Sequence, residues 1–132
     1  VLGQAELMSR IEDAVASAVE RADEWNGRPG DVGADPLRKL AAKAFLLQLA
    51  VDALERGEAQ DAYLGIAPVH DPHGDEATTV AFARELVGMY RAWAERRGME
   101  WRLLGDGGAV VVAVSGFAAW SLLSLEAGLH VL

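Results

Sequence analysis

The chain has 132 residues, of which 52% are hydrophobic and 24% are charged, so it is too apolar to be disordered. This length predicts one core, or a small core with a helical appendage, and excludes two full domains. A net charge of −8 argues against a protein that binds duplex DNA by neutralising phosphates. Without cysteine there is neither a disulfide nor a thiolate metal site, as is usual for a cytoplasmic protein.

Two amphipathic helices are predicted for residues 1–60, joined by a Gly/Pro-rich loop over residues 26–33. Asp35 is expected to cap the second helix, with Pro36 at its first position, and Gly57 is expected to follow its last turn. The predicted core stripes are Met8, Ile11, Val15, Ala18, Ala22 and Trp25 in the first helix, and Leu37, Leu40, Ala44, Leu47, Val51 and Leu54 in the second. Together they predict an antiparallel helical hairpin.

Residues 61–132 alternate between strand and helix patterns. A strand is predicted over residues 62–69, followed by a helix that runs from about Gly74 to Gly98. Its predicted inner stripe is Phe82, Leu86, Met89 or Tyr90, and Trp93.

The rest of this half predicts a strand over residues 99–104, a glycine-rich hairpin turn at residues 105–108 and a central strand over residues 109–114. A short helix should end near Ala127, and a fourth strand is expected to begin at His130. The predicted fold is therefore α+β: a helical hairpin and then a small β-α-β-β-α sandwich with helices on one side of the sheet.

Residues 107–125 carry no charge and approach the length of a membrane span. This stretch instead favours a buried strand, a turn and a helix, because it contains internal glycines, its first half is β-branched and its flanks, Asp106 and Glu126, are acidic. The charged N-terminal helix does not look like a signal peptide. We therefore expect a cytoplasmic protein that does not enter a membrane.

A set of short motifs follows in order through residues 64–69, 73–77, 89–91, 95–98, 115–116 and 126–130. In this order they resemble the peptide chain release factor (PCRF) domain of bacterial class I release factors. The resemblance assigns residues 61–132 to that domain and implies a role in translation termination, within protein biosynthesis. The residues that carry it are Gly74, Asp75, Glu76, Tyr90, Arg91, Gly98, Gly116, Glu126, Gly128 and His130.

The sequence also departs from this family. The tripeptide Gly-Gly-Gln, with which the family hydrolyses peptidyl-tRNA, does not occur in it, so we expect no enzymatic activity. Leu122, Ser124 and Val131 stand where the family's last helix carries basic residues, which would weaken contacts to ribosomal RNA. The resemblance thus implies a divergent, non-catalytic, ribosome-docking part of a termination or rescue factor, separate from the hydrolytic domain.

Other candidate chemistry is limited. Arg84, Arg91, Arg96, Arg97 and His130 are the candidate contacts to RNA or to a protein partner, although a solvated helix face is the simpler explanation of the arginines. The loop from His70 to Glu76 offers two imidazoles and three carboxylates, but the H-x-x-H spacing fits no common zinc site, so neither metal nor cofactor is expected.

Three roles follow from these observations. The first is docking to the ribosome. The second is a protein–protein interaction module of a multidomain regulatory protein, which kept the PCRF fold and lost the RNA contacts; its partner would be another protein or a downstream domain of the same chain. The third is small-molecule or metal binding at the loop from His70 to Glu76. Neither a membrane nor duplex DNA is an expected partner.

Overall fold

The computed structural model describes residues 4–27, 33–69 and 72–131, which belong to two compact units, Val1–Glu58 and Ala59–Leu132. Its α+β class confirms the predicted fold class. The elements are α1 Gln4–Asn26, α2 Ala34–Glu55, β1 Ala62–Ile66, α3 Glu76–Arg96, β2 Glu100–Gly105, β3 Val110–Ser115, α4 Ala119–Leu123 and a 3-10 turn, Ser124–Glu126.

In the first unit, α1 and α2 form the predicted hairpin, but the two predicted stripes are only partly correct. The buried apolar residues are Leu7, Ile11, Leu46, Leu47, Ala50 and Ala53, whereas Met8, Val15, Leu37 and Ala44 are exposed. Apolar residues occur on more than one face of each helix, so more than one stripe satisfies the helical period. The connecting loop falls mostly on residues 28–32, which lie outside the described residues.

The two ends of α2 bear on two specific predictions. Asp35 is not the N-cap: Gly33 occupies that position, and the Asp35 carboxylate lies 3.6 Å from Lys39 Nζ one turn further on. The helix starts two residues earlier than predicted, at Ala34, so Pro36 occupies the third helical position and not the first. Gly57 does follow the last turn, with a left-handed φ of +68°, and its N–H donates to the Leu54 carbonyl at 3.0 Å.

The second unit contains a three-stranded antiparallel sheet with the order β1-β3-β2. The central position of β3 was predicted from its apolar residues on both faces, and Val112 and Val114 are its most buried side chains. The glycine-rich turn joins β2 to β3 as predicted, with Gly108 at a φ of +95° and a bulge between Leu103 and Gly105.

Helices cover one face of this sheet, as predicted. α3 packs against β1 and β2, and α4 packs against β1; Tyr90, Ala94 and Leu123 of these helices are buried, as are Val112 and Val114 of β3. On the opposite face Tyr63 is 76% exposed. In β1, buried or half-buried residues alternate with exposed ones, whereas Val112, Ala113 and Val114 of the central strand are all buried.

The predicted fourth strand at His130 is wrong for the described residues: His130 and Val131 follow the 3-10 turn without strand pairing, and His130 packs on α3 instead. The uncharged stretch 107–125 does form a strand, a turn and a short helix. No helix within residues 4–27, 33–69 and 72–131 has the length and hydropathy to cross a membrane.

Candidate functional site

The motif at the start of α3 serves the helix itself. Asp75 is its N-cap, one residue before the helix, and its carboxylate accepts hydrogen bonds from the N–H groups of Ala77 and Thr78, both at 3.2 Å, and from Thr78 Oγ1 at 2.6 Å. These hydrogen bonds lower the pKa of Asp75, and the bond from the Thr78 hydroxyl has the largest effect. Gly74 lies in the preceding turn and Glu76 in the first helical turn, where an acid favours the helix dipole.

Two motif glycines also have structural reasons. Gly98 has a φ of +67° just after α3, and the Met99 N–H donates to the Ala94 carbonyl at 3.0 Å, as in a Schellman C-cap. A Cβ at Gly116 would lie 2.7 Å from Met99 Cγ, so any larger residue just after β3 would force the buried Met99 to shift. Its N–H donates to Asp61 Oδ1 at 3.3 Å.

Three motif residues far apart in sequence come together at the C-terminal end of the described chain. The Tyr90 hydroxyl donates to Glu126 Oε2 at 3.1 Å, the His130 ring stands edge-on to the Tyr90 ring with centroids 6.3 Å apart, and His130 Nε2 lies 3.1 Å from the Glu126 carbonyl oxygen. We call Tyr90, Glu126 and His130 the tyrosine cluster. It fixes the segment after α4 against α3.

The electrostatics of the tyrosine cluster keep its phenol neutral. Burial raises the pKa of Tyr90 above its ordinary value of about 10, and the hydrogen bond to the Glu126 carboxylate and its charge raise it further. A neutral phenol near neutral pH is a hydrogen-bond donor and no nucleophile. In this arrangement the Tyr90 phenol holds two chain segments together as a hydrogen-bond donor.

All three residues of the tyrosine cluster line a cavity of about 600 Å³ within the second unit. β1 and the residues after it form one wall, the segment 126–131 forms another, and Phe82 and Leu86 of α3 contribute apolar side chains. Phe82 and Leu86 belong to the predicted inner stripe of α3. The cavity itself was not predicted, because it depends on how the last residues of the chain lie against β1.

The profile of the PCRF domain family matches residues 16–132. The chain belongs to the PCRF domain family. The match covers nearly nine-tenths of the sequence and begins inside α1, so the helical hairpin is largely part of the family match, together with the sheet. No solved structure matches the chain with statistical significance.

In this PCRF domain the candidate arginines do not gather at the tyrosine cluster. Arg91 pairs with Glu95 on the exposed face of α3, with Nε 2.9 Å from Oε1, and Arg97 lies over the Trp93 ring at 4.6 Å. Arg84 and Arg96 are exposed, and they make no ion pair with the residues that the structure describes. At 100° per residue these four cations point in several directions from the helix.

The three positions at which the resemblance implies basic residues, Leu122, Ser124 and Val131, lie mostly at the surface. Ser124 is exposed, Val131 is 77% exposed and Leu122 is half-buried. Gly128 has no close neighbour that would exclude a side chain and no left-handed φ, so nothing in the structure requires glycine there. Side chains at Ser124 and Val131 therefore contribute to surface chemistry more than to packing.

Sequence reasoning missed the residues that hold the turn after β3. Ala118, with a left-handed φ of 57°, donates its N–H to Gln60 Oε1 at 3.0 Å, and the Trp120 N–H donates to the Gln60 carbonyl at 3.0 Å. Two polar residues directly before a strand, Gln60 and Asp61, were the available signal.

The candidate metal loop from His70 to Glu76 is exposed where the structure describes it, and His70 and Asp71 lie outside the described residues. No group of three metal-binding side chains occurs among the residues described.

Proposed function

We propose that this PCRF domain is a non-catalytic docking module of a translation termination or rescue factor, and that it binds the ribosome in the cytoplasm. The observation that carries the proposal is the family match over residues 16–132, since PCRF domains indicate a release-factor-like role in translation termination. The fold alone would not suffice, because one fold hosts many functions.

The non-catalytic part of the proposal rests on the residues present. Gly-Gly-Gln is absent from the sequence, which also has no cysteine. The tyrosine cluster offers a hydrogen-bonding phenol and no activated nucleophile. The module would then contribute placement: it would hold a separate effector in position on the ribosome.

Within the described second unit, Arg84 and Arg96 are the best candidates on α3 for RNA contact. Their guanidinium groups are exposed and not engaged by the ion pair or ring stacking that holds Arg91 and Arg97. Phosphate contacts of this kind give a binding constant that falls with salt. With a net charge of −8 and few basic residues, we expect binding to be weak and confined to low salt.

The test is co-sedimentation of the purified chain with 70S ribosomes through a sucrose cushion, as salt rises from about 50 to about 200 mM. We expect pelleting at the lower salt and its loss at the higher. The double variant Arg84→Gln, Arg96→Gln should pellet less and reduce the salt slope by about 2, one per lost phosphate contact. If no chain pellets at low salt, ribosome docking is wrong and the protein-interaction role is favoured.

A matched control has the same change in net charge elsewhere. Arg10→Gln with Arg38→Gln removes two exposed cations from α1 and α2 and should leave the pelleted fraction near that of the parent. Equal losses in both double variants would indicate that net charge alone governs binding. Release of the peptide from a peptidyl-tRNA on the ribosome should stay at background, and hydrolysis by this chain would contradict the non-catalytic assignment.

A further inference from the structure

The outer edge of β1 is open. Within residues 59–69 and 72–131, β1 pairs only with β3, so the backbone groups along its other side have no strand partner. Such an edge is a template for another strand unless the protein blocks it. β1 carries neither the charge nor the proline that commonly protect edges, since its sequence is Ala-Tyr-Leu-Gly-Ile.

This edge lies along the cavity of about 600 Å³ described above. All residues from Ala62 to Val69 line the cavity, and residues 126–131 line it from the other side. A strand as long as β1 spans about 17 Å, which suits an extended segment better than a compact ligand. We call this cavity, bounded by residues 62–69 and 126–131, the β1-edge groove.

The walls of the β1-edge groove are largely apolar. Leu129 and Val131 stand two residues apart and are 75% and 77% exposed, so an occupant would remove both from water. Side chains that alternate along an extended partner would meet such a surface at every second residue.

The charge of the groove is negative. Glu126 is its only acidic lining residue among those described, and no lysine or arginine lines it. Oε2 of Glu126 accepts the Tyr90 hydroxyl, whereas Oε1 accepts no hydrogen bond from the described residues. A carboxylate oxygen beside an apolar wall favours a cation and disfavours RNA phosphate.

We propose that the β1-edge groove binds an extended segment of a partner protein, which adds to the sheet beside β1. The segment carries apolar side chains at alternate positions and one lysine or arginine opposite Glu126. Main-chain hydrogen bonds to β1 provide affinity, and the alternating side chains and the cation provide specificity. This interaction does not rest on ribosome docking, because it uses a different surface from Arg84 and Arg96.

The first experiment varies the ligand and leaves the protein intact. The probe is a fluorescein-labelled, acetylated peptide in which valine alternates with threonine and one threonine is replaced by lysine; fluorescence anisotropy measures its affinity for the full chain. We expect saturable binding, and binding about tenfold weaker for the same peptide with glutamate in place of lysine. Two further peptides are N-methylated at every second residue, one at the odd positions and one at the even positions. Only one of these two sets of N–H groups faces β1, so one peptide should lose binding and the other should keep it.

The second experiment changes the protein. Glu126→Gln keeps an oxygen for the Tyr90 hydroxyl and removes the charge, so affinity for the lysine peptide should fall about tenfold while that for an all-threonine version stays unchanged. Glu100→Gln, an exposed substitution on β2, is the matched control and should alter neither affinity. Equal melting temperatures of the variants would show that the fold is intact.

Three results would overturn the proposal. One is that both N-methylated peptides bind as tightly as the unmethylated peptide. Another is amide chemical-shift changes on peptide addition that lie outside residues 62–69 and 126–131. The last is a concentration-dependent dimer in analytical ultracentrifugation that the peptide does not dissociate, since the groove would then belong to a second copy of the chain. Failure of ribosome co-sedimentation alone would leave the peptide result unaffected.

Discussion

The Tyr90 hydroxyl donates a hydrogen bond to Glu126 Oε2 at 3.1 Å and so connects the middle of α3 to a residue 36 positions later in the chain. Tyr90 is 5% exposed, whereas Glu126 is exposed. The bond therefore anchors a surface segment to a buried side chain. Because the anchored segment forms one wall of the β1-edge groove, the Tyr90 hydrogen bond helps to hold that wall in place.

Replacing Tyr90 with phenylalanine should loosen this anchor. Tyr90→Phe removes the hydroxyl and leaves the ring in place, and we expect a loss of about 1 kcal/mol in the free energy of unfolding, measured by urea denaturation. Hydrogen exchange should accelerate in residues 124–131. Tyr63→Phe is the control, because Tyr63 is 76% exposed on the other face of the sheet and should be neutral. Identical stability of both variants would show that the Tyr90 bond contributes nothing.

The raised pKa of Tyr90 predicts a pH dependence at the alkaline end. The folded state keeps the phenol proton to a higher pH than the unfolded state, whose tyrosine titrates near its ordinary value of about 10. This stabilisation is complete below that value and is lost as pH rises through the raised pKa of the folded state. The unfolding free energy of the parent should thus fall more steeply above pH of about 10 than that of Tyr90→Phe.

Tyrosinate absorbance gives an independent measurement of the same shift. The chain has two tyrosines, so Tyr63→Phe leaves Tyr90 as the only phenol that titrates. Its absorbance midpoint should lie above that of an unfolded reference in urea. A midpoint equal to that of the reference would contradict the burial and the hydrogen bond that raise the pKa.

Much of the second unit was predictable because its patterns are unambiguous. β3 is apolar on both faces, which is typical of a central strand, and four residues with three glycines before it specify a hairpin turn. α3 has a clear inner stripe between a capping acid and Gly98. Only Met89, offered as an alternative to Tyr90, proved to be exposed, since the two residues are 100° apart on the helix.

The hairpin was less predictable for a physical reason. Burial in α2 falls on Leu46, Leu47, Ala50 and Ala53, but leucine and alanine also occur on the faces that remain exposed. Hydrophobic period alone cannot select one of several apolar faces. The N-cap was misassigned at Asp35 because a carboxylate near the helix start can equally serve an ion pair with a lysine one turn later, and here it approaches Lys39.

The candidate site illustrates the limit of sequence motifs. Gly74, Asp75, Gly98 and Gly116 have local structural explanations that capping and turn rules supply. The meeting of Tyr90 with Glu126 and His130 requires the chain to return to α3 after the sheet, and no local pattern specifies that return. The same holds for the open edge of β1, which depends on strand order.

The capping role of Asp75 leads to a second prediction on stability and pH. Asp75→Ala should lower the melting temperature, because it leaves the first N–H groups of α3 without their acceptor. Asp75→Asn should stay close to the parent, since asparagine caps helices about as well. Calorimetry of the three proteins measures the order of stability.

The lowered pKa of Asp75 predicts the pH range in which the stability difference between the parent and Asp75→Ala disappears. The folded state holds the carboxylate ionised to a lower pH than the unfolded state, so its contribution is present above the ordinary aspartate pKa of about 4 and is lost as pH falls through the lower folded value. Parent and Asp75→Ala should therefore converge in stability as the solution is acidified, while Asp75→Asn keeps its advantage. Parallel curves for parent and alanine variant would contradict the role of the charge.

The close approach of Gly116 to Met99 gives the sharpest test of packing. Gly116→Ala would place a Cβ 2.7 Å from Met99 Cγ and 3.3 Å from Met99 Cα, and since the Met99 backbone cannot move aside freely, we expect a loss of about 1–3 kcal/mol in urea denaturation. Gly88→Ala, whose added Cβ meets nothing within 4 Å on α3, should instead gain about 0.5–1 kcal/mol.

A double variant separates steric conflict from a general intolerance of substitution at this turn. Met99→Ala removes the Cγ that lies nearest to the new Cβ, so Gly116→Ala should cost less in the Met99→Ala background than in the parent, although the contacts at 3.2 and 3.3 Å to Met99 Cβ and Cα remain. Additive costs would mean that the two residues do not interfere, and the steric explanation for glycine at 116 would be wrong.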